Sequence, residues 1–158
     1  MNELFNVLHV VTAVFIVGPL AILPMTALRA LRSGNGAQVA TLATSTSIFG
    51  RLSILVVLLG FAVMGTSDPK YGLTFLTPWI LWSLILWVAA AVVSEAVVVP
   101  SMRKAAAALG ATAGSGTSGT SGTSDASGAS QYYGRIAGGS GVVSILLLVV
   151  VVLMVWKP

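Results

Sequence analysis

Residues 136–156 read IAGGSGVVSILLLVVVVLMVW and decide the fold, because no charged side chain interrupts them. About 20 consecutive apolar residues in a helix cross the hydrocarbon core of a bilayer. A transmembrane barrel would instead show shorter segments in which apolar and polar residues alternate, whereas residues 145–155 are apolar at every position. The stretch therefore predicts a membrane-spanning α-helix.

The composition of the whole chain also indicates a membrane protein. Of its 158 residues, 56% are hydrophobic and 8% are charged, whereas a typical soluble domain carries about 25% charged residues. These values argue against a soluble globular fold, a disordered chain and a nucleic-acid-binding protein, although the formal net charge is +4. The lack of cysteine excludes disulfides, thiolate metal sites and iron–sulfur clusters.

Three further apolar stretches predict helices over about 4–32, 41–66 and 79–100. No basic residue precedes the first stretch, which is also longer than a signal peptide requires, so we expect this helix to be retained. The predicted fold is therefore all-α. It is one polytopic membrane domain over residues 1–158, with four transmembrane helices in contact with the lipid bilayer.

Lys and Arg set the predicted orientation, because cytoplasmic connections are enriched in them. Six of the eight follow the first and third helices: Arg29, Arg32, Arg51, Arg103, Lys104 and Arg135. Only Lys70 and Lys157 fall on the other side. We therefore predict a multi-pass protein of the bacterial inner membrane with both termini outside.

The connections differ in character. Residues 33–36, SGNG, predict a tight turn that makes the first two helices antiparallel neighbours. Residues 110–130 are rich in Gly, Thr and Ser and have no apolar face, so they predict a flexible cytoplasmic loop.

The two halves of the chain are similar. Phe49-Gly50-Arg51 at the start of the second helix matches Tyr133-Gly134-Arg135 before the fourth. Pro24 and Pro100 each precede an arginine near the inner end of a helix. These features predict two helical hairpins related as parallel repeats.

Glu95 is the main candidate for chemistry within the membrane, because it lies inside the third predicted helix. An unpaired carboxylate in a bilayer costs on the order of 3 kcal/mol, so Glu95 should face protein and find a partner. Arg51 and Arg135 enter the second and fourth helices from the same side, and we expect them to form a polar network with Glu95. The network is either a buried ion pair that locks the helices together or part of a proton or ion relay.

His9 is a second candidate, a polar site in the outer third of the first helix. A histidine can move protons or bind haem or copper, but a haem held by two histidines is excluded because the chain has only one. No catalytic residue, metal site or cofactor is predicted. The sequence lacks a phosphate-binding glycine loop, a His-Glu-x-x-His motif and a Ser/His/Asp set with a spare acid.

The fourth helix carries small residues that predict close helix packing, within the bundle or against another subunit. They are Gly134, Ala137, Gly138 and Gly141.

The first helix carries the sequence LHVVTA at 8–13, followed by Gly18, Pro24 and a basic inner end. It resembles a bacterial family of predicted four-helix integral membrane proteins, domain of unknown function 2269. That resemblance implies the four-helix architecture and no established activity. The His-x-x-x-Ala pattern is also similar to that of copper-resistance membrane proteins, which normally offer more His or Met ligands than this chain does.

Three functions are compatible with these features. The first is a non-enzymatic accessory subunit of a larger inner-membrane complex of lipid-transport or respiratory type, bound to other integral membrane subunits. The second is a small transporter or channel that uses Glu95 and the proline-containing first helix. The third is a redox or metal-binding protein that uses His9.

The predicted orientation is tested by reporter fusions. A reporter that is active only in the periplasm should be active when it is fused at Pro158, because the basic connections hold the opposite side in the cytoplasm. The same reporter inserted within 110–130 should be inactive. Activity at the internal site and none at Pro158 would reverse the orientation.

Overall fold

In a computed structural model, the chain is helical over nearly all of the part that the structure describes, residues 2–68, 72, 74–114 and 124–156. Its helices are α1 (Asn2–Arg32), α2 (Gly36–Gly65), α3 (Pro78–Val93), α4 (Val99–Gly114) and α5 (Ser124–Trp156). A π-helical turn, Ser94–Val98, joins α3 to α4. We refer to this segment as the π-turn, and α3, the π-turn and α4 together form one continuous rod.

The predicted all-α membrane architecture is confirmed. Among the described residues, four helical segments are long and apolar enough to cross a bilayer, namely Glu3–Arg32, Gly36–Gly65, Pro78–Ala111 and Gln131–Trp156. The described residues contain no strand. α1 packs mainly on α2 and the rod packs on α5, which is compatible with two hairpins. The parallel-repeat relation between them stays a prediction.

Large apolar side chains lie on the outside of the bundle. Val14, Phe15, Ile145 and Leu148 are each more than 60% exposed, which would be unfavourable in water but suits contact with lipid chains. The interior combines larger apolar side chains such as Leu20 and Met102 with many serines and alanines. Small residues let helix backbones approach closely, and this is how helices associate in membranes.

A tight turn connects α1 to α2, as the sequence predicts. Gly34 adopts a positive φ of 71°, a conformation that glycine reaches without steric penalty. The side chain of Asn35 then caps α2 by accepting a hydrogen bond from the Gln38 backbone N–H at 3.0 Å.

The helices extend further at the basic end than the sequence indicates. α2 begins at Gly36 and the rod continues to Gly114, so the loop predicted over 110–130 is helical at both of its ends. The physical reason is an amphipathic α4, with Met102 and Ala105 buried and Arg103 exposed. Residues 115–123 of the predicted loop lie outside the described residues.

One glycine of α5 makes the close helix contact, and it was not among the residues predicted to do so. A Cβ on Gly139 would lie 2.8 Å from Val98 Cγ2, whereas one on Gly134, Gly138 or Gly141 would meet no atom within 4 Å. Ala137 packs against the buried core. Packing of the three open glycines against another subunit stays a prediction.

Gly139 and Gly138 therefore form a matched pair. Gly139→Ala should destabilise the protein by about 1–3 kcal/mol, because the buried, β-branched Val98 cannot yield without strain. Gly138→Ala should be neutral or stabilising, since alanine favours the helix and space is open. Thermal unfolding of both variants in detergent tests this, and equal melting temperatures would contradict the packing described.

Candidate functional site: an unpaired carboxylate inside the bundle

One face of α2 is made of small residues and receives polar side chains from other helices. Ala43, Ser47, Gly50 and Ser53 follow one another at three- or four-residue steps and are all buried. Residues at this spacing share one face of a helix. Gly60 continues the same face towards the far end of α2.

The Glu95 carboxylate lies against this face at Gly50. Its Oε2 atom accepts a hydrogen bond of 3.2 Å from the Ser47 hydroxyl. Its Oε1 atom is buried and has no hydrogen-bond partner. A Cβ on Gly50 would lie only 2.9 Å from Oε1, so the glycine provides the space that the carboxylate occupies. Leaving a buried polar atom unsatisfied costs about 1–3 kcal/mol, and more when it is charged.

The π-turn presents Glu95, and Pro100 accounts for the π-turn. In an α-helix the Pro100 ring would clash with the carbonyl of Ala96, and proline has no N–H to donate to it. The wider turn avoids this, and the Val99 N–H donates to the Ser94 carbonyl five residues back. π-turns inside α-helices are frequent at functional sites.

The structure does not bring the two predicted arginine partners to Glu95. Arg51 and Arg135 are both exposed, and the recorded partner of Glu95 is a serine. Arg51 directly follows Gly50, but successive residues of an α-helix are rotated by about 100°, so it points away from the face that Glu95 occupies. The expected ion pair is therefore not formed, although both arginines enter their helices from the expected side.

A second polar contact lies next to Glu95 on the same face of α2. The indole Nε1–H of Trp87 donates to Ser53 Oγ at 3.1 Å, and that hydroxyl donates to the Gly50 carbonyl at 2.6 Å. Sequence reasoning missed this pair. The available signal was a tryptophan in mid-span, because a buried indole N–H requires an acceptor.

His9 lies at the opposite end of the same face. Its Nδ1 is 2.9 Å from the Val56 carbonyl, and a Cβ on Gly60 would lie 3.1 Å from its Cε1. A carbonyl only accepts hydrogen bonds, so Nδ1 is the donor in this contact. At the predicted polar site, the His9 ring thus packs against Gly60 of α2.

Together these groups form the polar column of α2, which we define as Glu95, Ser47, Ser53, Trp87 and His9. Their points of attachment on α2 run from residue 47 to residue 56, about 13 Å along the helix axis. Two ionisable side chains therefore stand at the two ends, with hydroxyls between them.

Metal ligation has little support among the same residues. In the described part of the chain, no group of three or more His, Cys, Asp or Glu side chains could hold a metal ion.

The missing ion pair changes the expected effect of replacing Glu95. Glu95→Gln should unfold at or above the wild-type temperature, because the amide can keep the Ser47 hydrogen bond and removes a charge that costs on the order of 3 kcal/mol. Adding Arg51→Gln should produce no rescue, since no arginine lost a partner. If Glu95→Gln lost much of its stability and Arg51→Gln or Arg135→Gln recovered it, the result would show that the ion pair exists.

The chain matches a known protein family. The family described as "Predicted integral membrane protein (DUF2269)" matches residues 3–158, which is nearly the whole chain. No curated protein and no solved structure matches it. The chain, with its four membrane-spanning helices, is a member of this family of predicted integral membrane proteins.

Proposed function

We propose that the protein is a small transporter in which Glu95 binds and releases a proton within the bilayer. One observation carries the proposal: the Oε1 atom of Glu95 is buried without a partner inside a membrane-spanning segment. Ionisable side chains within such segments are expensive and usually mark ion pathways or proton relays.

A purely structural role for Glu95 would require a partner whose interaction offsets the free energy cost of burying the charge. The arginines that could have done so are exposed, and Ser47 satisfies only one carboxylate oxygen. Protonation removes the charge and makes the carboxyl group compatible with its apolar surroundings. A carboxyl group held in this way is suited to exchange a proton.

A proton is a better ligand for this site than a metal cation. Calcium takes about 6–8 oxygen ligands and magnesium about six, whereas the carboxylate has a single hydroxyl partner, Ser47. A Cβ on Gly50 would lie only 2.9 Å from Oε1, so the α2 backbone crowds the carboxylate on that side. A proton needs only the carboxyl oxygen itself.

The proposal extends to the rest of the polar column. Ser47 and Ser53 are buried on this face of α2. The Ser53 hydroxyl donates to Gly50 and accepts from Trp87, so it must reorient before a proton moves through it. His9 is half-buried at the far end of the column. In this proposal His9 exchanges protons with the outer side and Glu95 with the basic, cytoplasmic side.

The proposal is tested with purified protein in liposomes that enclose a pH-sensitive dye. A pH gradient and a potassium–valinomycin potential should drive dye-detected proton entry through the wild-type protein. Glu95→Gln should reduce this flux to the level of empty liposomes, because an amide cannot release a proton. Ser47→Ala should slow the flux without abolishing it, since only one hydrogen bond to the carboxylate is lost.

The matched control is Glu3→Gln, which makes the same acid-to-amide change at an exposed position in the first turn of α1. Its flux should equal that of the wild type. Wild-type liposomes without proton flux above the empty control, under gradients of both directions, would contradict a transporter that works alone.

A second candidate function is that of an accessory subunit in a larger bacterial inner-membrane assembly. It is favoured by the exposed Gly134 and Gly138 of α5, which leave room for the close approach of another helix. Neither candidate assigns an enzymatic reaction or a nucleic acid partner to the chain.

The accessory role is tested by substitution at these glycines and purification in a mild detergent. Gly134→Leu and Gly138→Leu should leave the isolated chain folded, because a Cβ at either position would meet no atom within 4 Å, but they should release stoichiometric membrane partners. Retention of the same partners by both variants would place the interface elsewhere.

A further inference from the structure

A groove opens between the rod and α5 at the basic end of the bundle. It encloses about 280 Å³. The π-turn and α4 supply most of its wall and α5 supplies one cation. We define this basic groove by its lining residues, Ala96, Val97, Pro100, Ser101, Lys104 and Arg135.

Two cationic side chains line the groove, and neither forms an ion pair with a residue that the structure describes. Lys104 and Arg135 both line it and both are exposed. In the part of the chain that the structure describes, neither has a hydrogen bond or an ion pair with another residue. Arg135 is exposed and does not pair with Glu95, whose carboxylate bonds to Ser47, so this arginine is available to another anion.

The remaining walls are apolar and continue onto the lipid-facing surface. Ala96 and Val97 are exposed on the membrane-spanning segment Pro78–Ala111, and Pro100 lies between them and Lys104. A ligand that is complementary to both parts of the groove has a negatively charged headgroup beside the cations and a hydrocarbon chain beside Ala96 and Val97.

We propose that the basic groove binds the phosphate of an anionic membrane lipid, with its glycerol and one acyl chain along the apolar wall. Arginine and lysine are the residues that bind phosphate most often in proteins. Basic pockets between membrane helices are suited to anionic lipid headgroups. A free phosphate would find the same cations but would gain nothing from the apolar wall. The proposal does not depend on proton transfer at Glu95.

The test uses the full chain in dodecyl maltoside, with dioleoylphosphatidylglycerol as the probe and native mass spectrometry as the readout. The wild type should retain one lipid in preference to dioleoylphosphatidylcholine. Lys104→Gln and Arg135→Gln should each weaken this binding by about fivefold, the value expected for one cation near a lipid surface. The double variant should bind the two lipids equally.

Arg103→Gln is the matched control. It removes one positive charge from the residue of α4 that precedes Lys104, and Arg103 does not line the groove. It should bind phosphatidylglycerol like the wild type. Circular dichroism and melting in lipid-free detergent should be the same for all variants, which separates lost binding from lost folding.

Three outcomes would overturn the proposal. Equal weakening by Arg103→Gln would indicate attraction by net charge alone. Competition by glycerol phosphate at the concentration of the lipid would indicate a site for small soluble anions. If the folded double variant kept its preference for phosphatidylglycerol, Lys104 and Arg135 would not be part of the lipid site.

Discussion

The contact between the Glu95 carboxylate and Gly50 is the constraint on which the rest of the site depends. A carboxylate oxygen is held 2.9 Å from the position of a Gly50 Cβ and has no hydrogen-bond donor. Any side chain at residue 50 would displace it, and an α-helical turn before Pro100 would present it differently. The π-turn, the glycine and the buried Ser47 therefore act together to keep one ionisable group inside the membrane.

The same packing principle builds the bundle and its polar column. Small residues on α2 let the neighbouring helices approach closely, and the space that they leave is filled by Glu95, Trp87 and His9. Most buried hydroxyls satisfy themselves on their own helix, as Ser83 does on the Trp79 carbonyl at 2.7 Å. Ser47 differs because it donates to another helix. The proposed function and the helix packing thus depend on one set of positions.

Hydropathy alone was sufficient to predict the four spans, because apolar length is a direct property of the chain. The depth of Glu95 and of its two arginines could also be predicted. The direction in which the side chains of Glu95 and the two arginines point around their helix axes could not be predicted. Arg51 and Gly50, for example, are adjacent in sequence yet occupy different faces of α2. Likewise Gly138 and Gly139 are identical residues next to each other in the sequence, and only the three-dimensional packing shows that Val98 covers the second of them. Pro100 was visible in the sequence, but the π-turn that it causes depends on helix geometry.

Glu95 has a buried carboxylate oxygen without a hydrogen-bond partner, and its proposed role is to bind a proton there. Dicyclohexylcarbodiimide tests it directly, because this apolar reagent adds to protonated carboxyl groups inside membranes. Mass spectrometry of the protein treated in liposomes should find a stable adduct on Glu95, and Arg51→Gln and Arg135→Gln should leave its yield unchanged. A Glu95 that stays unmodified until one of those arginines is replaced would show that it is an ion-paired carboxylate, and the account would be wrong.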